Sequence, residues 1–288
     1  MKNLGRAAAA LAAASLLALA GCTSTAPQKP PAAATPAPSF AADTTMARLA
    51  QAGSITIGTK FDQPLFGLVG PDGKPQGFDV EIGKILARQL GIPEDRIRWV
   101  EAVSANREPF IQNRQVDIVV ATYTINDKRK EVVSFAGPYY LAGQSILVPA
   151  NDSTITGKDD LVGKPVCSVT GSTPAARLAE LGAQPVLADT YSNCLEPLRS
   201  GQVVAVSTDN VILAGLAAQN EGEFKVVGEP FTQEPYGIGL KHDDAAFRAW
   251  INDVLEQAYA DGSYKAAWDS TAGKVLDYRT PPAPDRYQ

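Results

Sequence analysis

The sequence has one histidine, His242, and three cysteines, Cys22, Cys167 and Cys194. One imidazole and a pair of thiols do not furnish a tetrahedral zinc site without help. No Ser-His-Asp or Cys-His arrangement is present either, because His242 precedes Asp243-Asp244-Ala245 at the expected start of a surface helix. No catalytic residue, metal ligand or cofactor is assigned on these grounds. Basic runs are missing as well. The net charge of -5 argues against nucleic acid as a partner. Asp152, Asp159 and Asp160 form a loose acidic group whose spacing does not match a calcium loop. Beyond the N-terminus no apolar run approaches the roughly 20 residues of a membrane-spanning helix, and no short-period repeat is visible.

What is present is enough apolar residue for packed cores: 45% hydrophobic and 20% charged over 288 residues, the size of one large domain or two lobes. The N-terminus reads as an export signal, residues 1–21. Lys2 and Arg6 precede an unbroken apolar stretch, Ala7 to Ala20, too short for a comfortable span. It ends in Leu19-Ala20-Gly21-Cys22, which resembles the lipobox of bacterial lipoproteins. That resemblance implies that Cys22 is lipidated, becomes the mature N-terminus and anchors the chain to the outer face of the cell membrane. The alternative is an ordinary secretory signal with a chance cysteine. Outside the cell, Cys167 and Cys194 are expected to oxidise to a disulfide, with two buried free thiols as the alternative. Residues 22–42 are rich in Pro, Ala, Ser and Thr with a single charge, Lys29, and are expected to form a disordered tether.

From Asp43 onward, β-type runs alternate with helical periods. Ser54-Ile55-Thr56-Ile57-Gly58 reads as a strand; Asp79 to Leu90 carries Val80, Ile82, Ile85, Leu86 and Leu90 at helical spacing. Strands are expected at Ile97 to Val100 and Asp117 to Ala121, with a helix around Arg107 to Asn113 between them. A second series after residue 150 places strands at Pro165 to Val169, Pro185 to Leu187 and Val203 to Ser207, separated by helices. The alternation predicts an α/β fold with parallel strands. Tyr139 to Val148 and Tyr236 to Lys241 read as crossover strands between two lobes. The expected division is 43–143 for the first part of lobe 1, 144–235 for lobe 2, and 236–288 for the rest of lobe 1. The C-terminal end is expected to fray at Arg279 to Pro284. Trp99, Trp250 and Trp268 are assigned to the core.

Ligands of open α/β sheets bind beyond the carboxyl ends of the strands. Lys60 and Phe61 follow the first strand, and Thr122, Tyr123, Thr124 and Arg129 follow the third. In the second series Ser172 and Thr173 follow one strand and Asp209 another. An arginine fork grips a carboxylate, a threonine hydroxyl adds a donor, a helix N-terminus favours an anion and an aspartate pairs with an ammonium. Thr173, placed before Pro174, is expected to be an N-cap. Each has a plainer reading: Arg129 as a helix-surface charge, Asp209 and Thr173 as caps only. Together at strand ends they equip a cleft for a zwitterion.

Ala121-Thr122-Tyr123-Thr124-Ile125-Asn126-Asp127-Lys128-Arg129, followed by Val133 to Tyr140, resembles the signature of the polar amino-acid-binding proteins of ABC transporters, solute-binding family 3. Gly77-Phe78-Asp79-Val80-Glu81 resembles that family's first helix start. The resemblance spans about Ile55 to Trp268. It implies a two-lobe periplasmic-binding-protein fold of type II that closes by hinge motion, an ABC permease as partner, and Thr124, Arg129, Thr173 and Asp209 as holders of an amino acid's α-groups. Family members often have Gly-Met at Thr122-Tyr123, so larger side chains there are expected to narrow the pocket. The stacking aromatic after strand one is matched only ambiguously, by Phe61. Asn106 to Asn113 resembles a segment of the glutamate/aspartate-binding members, which implies Arg107 opposite a distal carboxylate, with Lys60 beside it. Arg107 and Lys60 as mere cleft-wall charges are the alternative. Counting Lys60, Arg107 and Arg129 against Asp209 favours glutamate over aspartate, asparagine or glutamine. A sensor reporting amino-acid levels, and a dehydratase-like enzyme on the same scaffold, are the competing functions.

Overall fold

The computed structural model describes residues 38–286. The expected signal segment, Cys22 and most of the tether lie outside the described residues. The end of the tether differs from expectation: Phe40 packs edge-on against Trp250, ring centroids 6.0 Å apart, so the ordered body begins before Asp43.

Helix α1 (Thr45–Ala52) is capped by Thr44, whose hydroxyl accepts from Ala47 N–H, and stops at left-handed Gly53. Strand β1 (Ile55–Thr59) leads into a small antiparallel sheet, β2 (Asp62–Gln63), β3 (Gly67–Val69) and β4 (Pro75–Gln76). These three short strands carry no alternating pattern, and sequence reading had missed them. Helix α2 (Phe78–Gln89) buries Val80, Ile82, Ile85 and Leu86, the apolar face expected from their spacing. Then come β5 (Ile97–Glu101), α3 (Arg107–Gln112), β6 (Ile118–Thr124), the single-turn α4 (Asp127–Lys130) and β7 (Ser134–Ala142).

The chain next builds a second sheet from β8 (Gln144–Pro149), β9 (Pro165–Val169), α5 (Thr173–Glu180), β10 (Gln184–Ala188), α6 (Leu195–Arg199), β11 (Ala205–Asp209), α7 (Asn210–Gln219) and β12 (Phe224–Val227). Strand β13 (Glu234–Leu240) returns to the first sheet, and α8 (Ala245–Asp261) and α9 (Ser263–Ser270) follow. The sheet orders are β5-β1-β6-β13-β7 and β10-β9-β11-β8-β12. In each, three parallel strands end toward the cleft and the remaining strands run antiparallel to their neighbours. The fold is the two-lobe α/β architecture.

The crossovers are narrower than the strands predicted for them. Tyr139 to Val148 is two strands in two different sheets, broken at Gly143. Tyr236 to Leu240 lies wholly in the first sheet, and the return crossing is made earlier, over 228–233, without regular structure. The two crossings are bonded to each other: Gln144 N–H donates to Thr232 Oγ1 and Phe231 N–H to Gln144 O, both at 2.9 Å. Gly143 is required there, because a Cβ would stand 2.6 Å from Thr232 O.

An aromatic cluster of Phe66, Phe78, Tyr140, Tyr236 and Trp268 ties the small sheet, α2, β7, β13 and α9 together, with Tyr140 stacked on Trp268 at 5.2 Å. Full burial of a Phe-sized side chain is worth about 1.5–3 kcal/mol, so this cluster gives the hinge side of lobe 1 a rigid base. Trp268 is buried as expected; Trp99 and Trp250 pack on the core while half-exposed. The C-terminal tail does not fray through residue 286. Asp285 N–H donates to Gly137 O at 2.6 Å, and Arg286 pairs with Asp253 and Glu256 at 2.7 and 2.8 Å. Among the described residues no helix is long and apolar enough to cross a membrane.

Candidate binding site

Strand ends and helix starts from both sheets converge on one narrow pocket. Its lining includes Arg107, Thr122 and Thr124 from lobe 1 and Ser172, Thr173, Tyr191, Thr208 and Asp209 from lobe 2. The backbone supplies the placement. Arg107 opens α3, Thr122 and Thr124 end β6, Ser172 and Thr173 start α5, and Asp209 ends β11. Lys60 stands just behind the lining, buried, its Nζ donating to Ser104 Oγ at 2.9 Å. Arg129 is outside that lining, although it bonds to Thr124 O; it lines a wider neighbouring groove of about 740 Å3 with Glu108, Gly171, Thr173 and Leu187. That groove is the larger cavity, but its walls are mostly apolar and its Arg129 and Glu108 already pair with each other; the polar chemistry belongs to the smaller pocket.

Arg129 is held by a one-turn helix whose Asn126 Oδ1 accepts from Arg129 N–H at 2.9 Å. Its Nε donates to Glu108 Oε1 at 3.1 Å, Nη1 to Thr124 O at 2.7 Å and Nη2 across the cleft to Gly171 O at 3.1 Å. Five N–H donors with three bonds leave one free hydrogen on each Nη, a pair suited to a carboxylate. Gly171 lets the lobes approach this closely: a Cβ would stand 2.9 Å from Ala105 Cα, and its φ of 77° is left-handed. Arg107 lies over the Tyr123 ring at 4.2 Å and bonds through Nη1 to Ala121 O at 3.1 Å. Its Nη2 is thereby left for the pocket.

Burial sets the electrostatics. It pushes the Lys60 ammonium down to about 7, and the Arg107 guanidinium beside it adds to the effect. Arg107 is itself lowered to about 10 by burial and by Arg129. Asp209 is pushed up to about 7 by burial and then by the Glu234 carboxylate, against the pull of the 2.6 Å hydrogen bond from Tyr236 O–H. Among the described residues no carboxylate pairs with Lys60 or Arg107 at salt-bridge distance, whereas Arg129 has Glu108.

Three polar atoms in and behind the pocket wall are buried without a partner: Asp209 Oδ1, Thr208 Oγ1 and Gln63 Nε2. Buried polar atoms in folded proteins are overwhelmingly paired. An unpaired acid oxygen, a hydroxyl and an amide donor beside two unpaired cations make a site for a small molecule with both signs of charge. Among the described residues no group of His, Cys, Asp or Glu is arranged to hold a metal ion. His242 is exposed beside Asp243 at 2.8 Å, remote from these residues in the sequence and absent from the pocket lining.

Several expectations change. Ser172, not Thr173, is the N-cap of α5; its Oγ accepts from Ala175 N–H at 3.1 Å, and Thr173 is the first helical residue. The Thr173 hydroxyl donates to Glu234 Oε2 at 2.8 Å. Tyr123 does not line the pocket. Its fully buried ring packs against Phe135 and supports Arg107 from below. Phe61 is half-exposed and is not part of the lining. The tally of three cations against one carboxylate fails too, because Glu108 offsets Arg129 and Glu234 stands near Asp209. Gln63, Tyr191, Thr208 and Glu108 were not foreseen. Tyr191 follows strand β10 and obeys the same strand-end rule that led to Asp209. Cys167 and Cys194 form the expected disulfide, which holds the segment just after Tyr191 to β9.

Residues 55–270 match the model of bacterial extracellular solute-binding proteins, family 3. The chain is 46% identical over 225 residues to the glutamate-binding protein GluB of Corynebacterium efficiens, covering 74% of this chain and 76% of that one. It is 36% identical over 223 residues to the ABC transporter glutamine-binding protein GlnH of Bacillus subtilis, covering 76% of this chain and 81% of that one. Among solved structures, an ancestral arginine-binding protein bound to glutamine superposes with a TM-score of 0.72 at 33% identity, covering 76% of this chain and 97% of that one. The chain belongs to the bacterial extracellular solute-binding proteins, family 3.

Proposed function

We propose that this protein captures L-glutamate outside the cell membrane and delivers it to an ABC permease. Relatives named for glutamate and glutamine binding support an amino acid as the ligand. The choice of glutamate rests on one observation: Lys60 and Arg107 are buried cations without a carboxylate partner, in the site where Asp209 Oδ1 is an unpaired acid oxygen. The α-ammonium pairs with Asp209. The α-carboxylate takes the free Nη hydrogens of Arg129 and the hydroxyl of Thr124, and that of Thr173 once it turns away from Glu234. The side-chain carboxylate faces Arg107 Nη2 with Lys60 behind it. Glutamine would leave those cations unmatched. An opposite-charge contact at 4 Å is worth about 4 kcal/mol at an effective dielectric of 20 before desolvation is subtracted, which is enough to discriminate. Aspartate, asparagine and glutamine bind more weakly, and a cationic ligand is rejected.

Capture proceeds by closure of the lobes about Gly143 and the 228–233 return, the two places where the chain passes between sheets. Lipid on Cys22 holds the protein at the outer membrane face, and the same closed form is what a permease, or a signalling partner in the sensor reading, would recognise. Titration calorimetry on ligand-stripped protein with glutamate, aspartate, glutamine, asparagine and arginine tests the reading. Glutamate is expected to bind most tightly, with Kd on the order of 1 μM, or about -8 kcal/mol. Equal affinity for glutamine and glutamate would remove it.

A further inference from the structure

Asp79 is fully buried at the start of α2 and does not line the pocket. Its carboxylate is shared. Oδ2 accepts from Thr122 N–H at 2.7 Å and Oδ1 accepts from Tyr139 O–H at 2.6 Å. Thr122 has a φ of 43°, in the left-handed region that β-branched residues rarely enter. Such a conformation persists only where the surroundings over-determine it. It occurs where β6 slips against β13. Thr124 and Tyr123 pair with Tyr236 and Gly237, but the next paired residue is Val119, opposite Gly239, so 120–122 forms a bulge.

The bulge re-aims groups that matter to the pocket. Ala121 O and Thr122 O are turned onto Arg107 Nη1 at 3.1 and 3.4 Å. The Thr122 hydroxyl shares its one hydrogen between Ala121 O at 2.8 Å and Gln63 Oε1 at 2.9 Å, which positions the amide whose Nε2 is the unpaired donor. One buried carboxylate therefore clamps the kink on which both Arg107 and Gln63 are hung.

We infer that Asp79 is a positioning residue for specificity, clamping the Thr122 bulge so that Arg107 and Gln63 meet the ligand's side-chain end. The inference rests on the reading of the pocket as a glutamate site. Both partners of Asp79 are donors, so a carboxylate satisfies both at once. An asparagine keeps the Thr122 bond through Oδ1, because the Tyr139 hydroxyl can rotate to accept from Nδ2. An alanine removes the clamp.

Calorimetry with glutamate and with glutamine on wild type, Asp79→Ala, Asp79→Asn and Tyr139→Phe, alongside melting temperatures, tests it. The glutamate-to-glutamine affinity ratio is expected to fall about tenfold in Asp79→Ala and to stay within about threefold in the other two. Tm falls in both Asp79→Ala and Tyr139→Phe, so the ratio, not Tm, separates positioning from structural support. Should Asp79→Ala not fold, Asp79→Ser, whose short side chain cannot reach both donors, is read for the same loss. Equal weakening of both ligands, an unchanged ratio, or an equal loss in Tyr139→Phe overturns the inference. A wild type without glutamate preference overturns the functional reading together with it; a wild-type preference untouched by the Asp79 variants overturns this inference alone.

Discussion

The Asp62 carboxylate in one lobe accepts the backbone N–H of Tyr191 in the other at 2.9 Å, with Ser192 N–H on the same oxygen at 3.4 Å. This contact joins the lobes at the pocket's edge, through the backbone of the lining residue Tyr191, near the close approach of Gly215 to Pro64, where a Cβ would stand 2.5 Å from the carbonyl oxygen. In the proposed capture by closure, it would hold the two lobes together for any ligand. Hydrogen bonds to a charged group contribute about 1.5–3 kcal/mol, less where water competes. Asp62→Ala is therefore expected to weaken glutamate and glutamine alike by about tenfold, with their ratio unchanged, and to expand the ligand-bound protein in solution scattering. A change in the ratio would show that Asp62 acts on the pocket instead.

The disulfide should share in this latch. Cys194 lies just beyond Tyr191 and Ser192 and is bonded to Cys167 on β9, closing a loop with a sequence separation of 27. Chain-entropy bookkeeping for such a loop gives about 3.5 kcal/mol of stabilisation. The Cys167→Ser/Cys194→Ser variant is expected to lose about 10 °C in Tm and several-fold in affinity for every ligand, because the Tyr191 segment loses its tie. Calorimetry and a thermal melt with and without a reductant on wild type check both parts. Unchanged affinity under reduction would confine the disulfide to stability.

The pocket was legible in outline because its chemistry sits where parallel strands end. Thr122, Thr124, Ser172, Thr173 and Asp209 were found by that rule and line it; Arg107, which lines it too, came only from the family resemblance of Asn106 to Asn113. Tyr123 was misplaced by ignoring alternation: neighbours along a strand point to opposite faces, so Thr122 and Thr124 in the wall leave Tyr123 in the core. Glu108 could not be foreseen as the partner of Arg129, since their contact across 21 residues depends on how α3 packs beside α4. The bulge at Thr122 has no local signal either. Nothing in Ala121-Thr122-Tyr123 announces a left-handed threonine, because the cause is a carboxylate 43 residues away.

Lys60 is expected to make glutamate affinity depend on pH. Its ammonium is lowered to about 7 by burial and by Arg107, so above pH 7 the ligand-free protein holds it largely neutral. An anionic side chain in the pocket favours the charged form, so binding takes up a proton and glutamate affinity falls as pH rises above about 7. Asp209, raised to about 7, works in the opposite sense, because the α-ammonium favours its ionised form and binding releases a proton. That contribution is common to glutamate and glutamine, so the difference between them isolates Lys60. The same lowering means that the unfolded chain holds more protons at Lys60 between about 7 and the ordinary 10.5, so Lys60 makes ligand-free stability rise with pH across that window. Calorimetry in two buffers of different ionisation enthalpy at pH 8 should show more proton uptake for glutamate than for glutamine. Lys60→Met should abolish the difference.

Arg107 and Arg129 should fail in different ways. Arg129 is assigned to the α-carboxylate that every amino acid carries, and it also joins Thr124 O to Gly171 O across the cleft. Removing one partner of a buried charge contact costs about 2–5 kcal/mol. Arg129→Ala is thus expected to weaken glutamate and glutamine together by about a hundredfold or more. Arg107 is assigned only to the side-chain end. Arg107→Met keeps an apolar stem over the Tyr123 ring while removing the charge, so glutamate should weaken by about tenfold or more while glutamine changes little. Titrating both ligands into both variants reads the four affinities directly. If Arg107→Met loses glutamine as severely as glutamate, the side-chain subsite has been misassigned, and the cations of this pocket serve the α-groups instead.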